Sequence, residues 1–163
     1  MARYVRLQDG MPMEYRDMAE PPPAHKASLW TPVVDLGQPP HAVGETTERT
    51  ESLINGQWVA SYQVVRHSDE TLINMIKQEC QRRIIAITGV SDLIACVIKQ
   101  SNANMRANEL NDKRANGETL TAQEEAEAAA LRSLAATIKA LRARSNELEV
   151  SLPVDFTNDV HWA

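Results

Sequence analysis

Histidine and cysteine are the side chains that most readily ligate a metal or act as nucleophiles, and in this chain they are few and scattered. His25, His41, His67 and His161 fall in four different stretches. No two stand four residues apart, the spacing that would put two imidazoles on one helix face. Cys80 and Cys96 are the only cysteines, one ahead of Ile84-Ile85 and the other within Ala95-Cys96-Val97. In such apolar surroundings a thiol acts as a small hydrophobe, and no disulfide framework is implied. Ser61, Ser68, Ser91, Ser101 and Ser145 lack a Gly-x-Ser-x-Gly elbow, and the six glycines are too isolated to cradle a phosphate. Glu124, Glu125 and Glu127 form an acidic cluster. At the start of a helix they oppose its dipole and need no catalytic role. Lys77, Arg82 and Arg83 make a short basic run, without interleaved aromatics on which bases would stack. The expectation is a protein that is not an enzyme, with no catalytic residues, no cofactor and no metal.

Composition points the same way. Of 163 residues 43% are hydrophobic, enough for a core, but only 4% are aromatic, so that core is aliphatic and alanine-rich. A net charge of −5 offers phosphates no general attraction, and nucleic acid is not an expected partner. Arg3, Arg6 and Asp9 precede no apolar run, so no signal peptide is read there. No segment approaches the length of a membrane span, and no membrane association is expected.

The elements that would position any site divide the chain in two. Seven of the eight prolines lie within residues 1–40, and none occurs from His41 to Leu152. Tyr4, Tyr15, Trp30, Trp58 and Tyr62 precede residue 63, whereas Phe156 and Trp162 close the chain. The first half predicts short strands. Arg3 to Leu7 alternates, Asp9-Gly10 turns, and Met11 to Tyr15 returns. Ser52 to Ile54 and Gln57 to Val65 flank Asn55-Gly56, a pair suited to a type I′ hairpin turn. Between these hairpins, Pro21-Pro22-Pro23 and Pro39-Pro40 bracket Ser28 to Val34. Triple proline favours extended polyproline II backbone, so this stretch is either a linker or an arm. As an arm it would lie on a neighbouring subunit with Leu29, Trp30, Val33 and Val34 as anchors.

The second half predicts three helices. The first spans about Asp69 to Ile87, with Leu72, Ile73, Ile76, Cys80, Ile84 and Ile87 at helical spacing and Thr88-Gly89 as its stop. The second, with Ser91 as the expected N-cap, carries Ile94, Val97, Ile98, Ser101 and Met105 along one side and ends near Asn116-Gly117. The third opens on a capping box, Thr121 to Glu124. Leu131, Leu134, Ile138, Leu141 and Leu148, interrupted by Ser145, then form a heptad seam. That seam packs either within the chain or against other copies. The aromatic tail likewise either caps its own helices or docks on a partner through Phe156 and Trp162. The expected fold is α+β: an N-terminal extended arm with short β-hairpins, and a C-terminal three-helix bundle or coiled-coil region. The boundaries are 1–67 for the arm and hairpins, 68–150 for the helices and 151–163 for a docking tail.

Two stretches carry a family resemblance. Ile54-Asn55-Gly56-Gln57-Trp58-Val59-Ala60-Ser61-Tyr62-Gln63-Val64-Val65, leading through Ser68-Asp69-Glu70 into helix, resembles small tail proteins of tailed bacteriophages. The C-terminal part, from Gln81-Arg82-Arg83-Ile84 through Arg142-Ala143-Arg144-Ser145-Asn146-Glu147-Leu148-Glu149 to Trp162, is similar to their helical ends. The opening strand, its Asp-Gly turn and the proline-containing stretch resemble them in style. The resemblance implies a structural component of the virion tail, at the baseplate or the tail-fibre attachment, with other tail proteins as partners. The alternative is a tail-fibre assembly chaperone absent from the mature virion. Localisation would be the virion tail, and the host cytoplasm during assembly. A homo-oligomer is expected, with trimerisation the hypothesis that tail symmetry and the heptad seam suggest. Neither a small dimeric enzyme or regulator nor DNA binding through Lys77, Arg82 and Arg83 has a residue constellation behind it.

Overall fold

The computed structural model describes residues 1–9 and 11–163, and the chain divides into two compact units, Met1–Arg66 and His67–Ala163. In the first unit the described residues form five strands: β1 (Ala2–Gln8), β2 (Met11–Met18), β3 (Trp30–Asp35), β4 (Glu45–Ile54) and β5 (Gln57–Arg66). They make one mixed sheet in the order β2-β1-β3-β5-β4. Two antiparallel hairpins, β1–β2 and β4–β5, are joined by β3. Its residues Trp30 to Pro32 run antiparallel to β1, and Val33 to Asp35 run parallel to β5. At the β4–β5 turn Asn55 and Gly56 both take positive φ, 51° and 80°, as a type I′ turn demands.

The proline-flanked segment is therefore no arm. Trp30 to Val34 is rich in β-branched and aromatic residues, and pairing satisfies backbone groups that an extended arm would leave to water. Pro32 stands where β3 pairs with β1 alone, so its missing N–H costs the sheet little. Ahead of it, Ala24–Leu29 forms a short 3₁₀ helix directly after Pro23.

The sheet is strongly curled. Flat, β1 and β4 would stand about 14 Å apart, three strand spacings. Yet Arg3 Nε on β1 lies 2.9 Å from Glu51 Oε1 on β4, and Arg49 also reaches that carboxylate oxygen at 2.9 Å. Val5, Val33, Trp58 and Ala60 are buried on this inner face. Polar side chains close over them: Tyr62 donates to Asp35 at 2.9 Å, and the Arg3 guanidinium lies over the Tyr15 ring at 5.2 Å. Burial, reinforced by the Glu51 carboxylate, pushes the Tyr15 hydroxyl pKa up.

The second unit holds α1 (Asp69–Thr88), α2 (Leu93–Ala115) and α3 (Ala122–Ser151). Ser68 caps α1, and Gly89 ends it at φ 66°. Asp92, rather than Ser91, caps α2: its Oδ1 accepts from Ala95 N at 2.9 Å, while Ser91 Oγ donates to its other oxygen. Thr121 and Glu124 close a reciprocal capping box on α3.

These helices do not form the expected bundle. At 1.5 Å per residue α3 is about 45 Å long and α1 about 30 Å, so α1 can flank only part of it. The break after Thr88 bends α2 away by 60°. Two cores result. Leu72, Ile76, Cys80 and Ile84 of α1 pack with Ile138 and Leu148 of α3, Cys96 from the start of α2, and Phe156 and Trp162. Leu110, Leu120 and Ala128 form the other, around the α2–α3 connection.

Candidate functional site

The residues expected to anchor partners mostly meet their own chain. In β3 the two-residue strand period splits the arm set: Val33 is buried in the sheet core, while Val34 points to the opposite face and is exposed. Trp30 is partly buried, with the Arg16 guanidinium 5.5 Å from its ring centroid. Leu29, ending the 3₁₀ turn, is exposed. Along α3, Ile138 and Leu148 are buried against α1 and the tail, with Leu134 and Leu141 packed beside them, and Leu131 packs on the other core.

The tail folds back. Leu152 adopts φ 48°, in the left-handed region, directly after α3 and ahead of Pro153, which reverses the chain. Phe156 and Trp162 are then buried in the α1–α3 core, and Trp162 Nε1 donates to Phe156 O at 2.6 Å. Arg83 secures the loop from α1: it donates to Thr157 O at 2.9 Å, pairs with Asp159 at 2.8 Å and lies 4.9 Å from the Trp162 ring centroid. Arg144 donates to His161 O, and His161 Nε2 lies 2.8 Å from Asp155.

The residues surveyed for chemistry are held in structural pairs. Glu79, 7% exposed, takes hydrogen bonds from Arg82 and Arg83 at 2.6–2.8 Å, neutralising much of the basic run. Those guanidinia, Arg82 foremost, hold its carboxyl below the usual range despite burial. Lys77 faces Glu149 at 3.4 Å. The acidic cluster opening α3 forms a ladder with α2: Arg106 with Glu127, Lys113 with Glu124 and Arg114 with Glu125. Cys80 and Cys96 are buried and unbridged, and burial raises the Cys80 thiol. Cys96 accepts weak hydrogen bonds from Thr88 Oγ1 and Gln100 Nε2. Among the described residues, no three His, Cys, Asp or Glu side chains are grouped so as to hold a metal ion.

What remains open is one side of α2. Leu93, Ile94, Val97, Ile98 and Met105 are between 48% and 73% exposed. At 100° per residue they share one face with Ser101, and the buried Cys96 and Leu110 lie on the opposite one. Helical periodicity identifies the stripe, but the side it marks is not the side that α1 and α3 cover. The first turns of α2 are apolar all round, a pattern that normally means burial on every side.

Where α2 diverges from α3, two clefts flank its inner side. One, of about 530 Å³, lies among Cys80, Ile84, Leu93, Cys96, Val97 and Ser145. The other, of about 310 Å³, lies between Ala103 and Ala107 of α2 and Leu131, Leu134 and Ile138 of α3. Gln100 and Arg142 border both and lie 3.5 Å apart. Both linings mix aliphatic side chains with polar and charged ones.

No family model, curated protein or solved structure matches this chain.

Proposed function

We propose that this protein is a structural component of a tailed-phage tail, placed near the baseplate or the fibre attachment and joined to other tail proteins through apolar surface. One observation carries the reading: the row Leu93, Ile94, Val97, Ile98 and Met105 stays open on α2, while Cys96 and Leu110 on the opposite side of that helix are buried. A contiguous apolar patch rimmed by polar residues is the usual mark of a protein-binding surface, because its free energy is released only when water is excluded from it. The resemblance of residues 54–70 and 140–162 to small phage tail proteins supplies the setting. The proposal relies on neither an arm nor a bundle. Quantitative mass spectrometry of purified particles tests it. A fixed ratio to known tail proteins is the expected result. Detection in infected-cell extracts on nascent fibres, with loss from mature particles, would replace it with the assembly-chaperone reading.

A further inference from the structure

We propose that the cleft between α2 and α3 bordered by Arg132, Lys139 and Arg142 is a docking groove for an acidic amphipathic helix of a partner protein.

The charge of α3 changes along its length. Its first turns hold Glu124, Glu125 and Glu127, and its end holds Glu147 and Glu149, but no Asp or Glu stands between them. Arg132, Lys139 and Arg142 fall inside that gap. None of them has a carboxylate three or four residues away, where a helix would pair it. Helix α2 offers them none either, since it lines the cleft with alanines and the amides of Gln100 and Asn104. Arg132 donates to Ala128 O of its own helix, and Arg142 reaches the amide oxygen of Gln100 at 3.5 Å. Among the described residues every other Lys and Arg of the helical unit is engaged, Lys99 by Thr88 O and the rest by carboxylates. The three cations left over all border one cleft, in a chain whose net charge is −5.

Between them the floor is apolar. Leu131, Leu134 and Ile138 line it from α3, and the short side chains of Ala103 and Ala107 leave about 310 Å³ open on the α2 side. An apolar strip edged by cations is the complement of a helix whose apolar face is edged by Asp or Glu.

Spacing selects a helix over a smaller acid. From Arg132 to Arg142 the axis of α3 rises about 15 Å, so the single carboxylate of an acyl chain would meet one cation and leave the others unmatched. Acidic side chains on successive turns of a helix meet all three. A nucleic acid would lay its phosphates over an aliphatic floor that has no aromatic ring for its bases. An anionic bilayer takes up apolar side chains from a protruding face, and these line a recess.

None of the α2 stripe residues lines this cleft, so failure here would leave the proposed function and its particle measurement untouched. A yeast-displayed library of helices about 18 residues long, with a fixed leucine row and random flanks, is sorted for binding to the purified full-length protein. The clones recovered should carry Asp or Glu beside the leucine row. Arg132, Lys139 and Arg142 are exposed, so R132Q/K139Q/R142Q should keep the wild-type helical dichroism and melting. Synthetic copies of the clones should bind that variant at least about tenfold more weakly than the wild type, and high salt should abolish the difference. Ala103→Leu fills the groove without changing its charge and should weaken the same peptides by a similar factor. The proposal is overturned if no clone is recovered, if the clones lack an acidic bias, or if their peptides are indifferent to the glutamine variant or to Ala103→Leu. Tighter binding of decanoate, oligothymidylate or phosphatidylserine vesicles than of any selected peptide would overturn it as well.

Discussion

Glu79 shows how much one side chain arranges in the helical unit. It is buried in α1 and fixes Arg83, which in turn reaches the carbonyl of Thr157 and the ring of Trp162. Removing the carboxylate leaves Arg83, itself mostly buried, to pair with the exposed Asp159. Glu79→Ala should therefore cost about 2 kcal/mol and lower the melting temperature by several degrees, with faster amide exchange in residues 155–162. If those amides exchange as in the wild type, Arg83 does not hold the tail. Thr121 is the local counterpart. Its hydroxyl accepts from Glu124 N, so Thr121→Ala should cost about 1 kcal/mol in thermal unfolding while Thr121→Ser stays near wild type. The two differ in legibility. The capping box lies within four consecutive residues and can be read directly, whereas the role of Glu79 depends on a tail some eighty residues further on.

Between elements, the ladder joining α2 to α3 makes the hairpin sensitive to acid. Lys113 first, then the Thr121 backbone N–H, hold the Glu124 carboxyl down to about 2, well below its ordinary 4.5. A carboxylate with a depressed folded pKa stabilises the fold fully above its unfolded value and loses that contribution as pH falls towards the folded one. Arg106 lowers Glu127 in the same direction. Helicity should thus fall between about pH 4.5 and 2, most at the α2–α3 connection, and hydrogen exchange read by residue should locate the loss. Glu124→Gln should remove part of that dependence and be less stable at neutral pH; an unchanged acid profile would exclude the ladder as its source. Helix positions were legible from spacing, but their neighbours were not. The α2 stripe is clear in sequence, yet periodicity marks a face without saying what covers it. Strand β4 is obscure for a different reason: Glu45 to Glu51 holds only threonine and charged residues, so neither face looks apolar. Its inward carboxylate, Glu51, is matched by arginines that arrive from β1 and from β4 itself.

At the scale of the molecule, the shift from proline and aromatics to alanine, leucine and glutamate falls close to the point where the chain divides, Arg66 to His67. Each unit has its own buried clusters. A fragment beginning at His67 should accordingly retain strong helical dichroism and melt cooperatively; a non-cooperative melt would mean that the helices need the sheet. The curled sheet was beyond reach of local patterns, because its decisive pairing joins β3 to a parallel strand more than twenty residues away. That pairing also sets an order on the ribosome. The β1–β2 hairpin can close as soon as it emerges, but Val33 has no parallel neighbour until Trp58 has been added. At 5–20 residues per second, translation leaves β3 unpaired on that side for roughly one to five seconds. Synthesis itself therefore exposes the nascent sheet to aggregation, and synonymous slow codons between residues 36 and 57 should lower soluble yield without altering the finished protein.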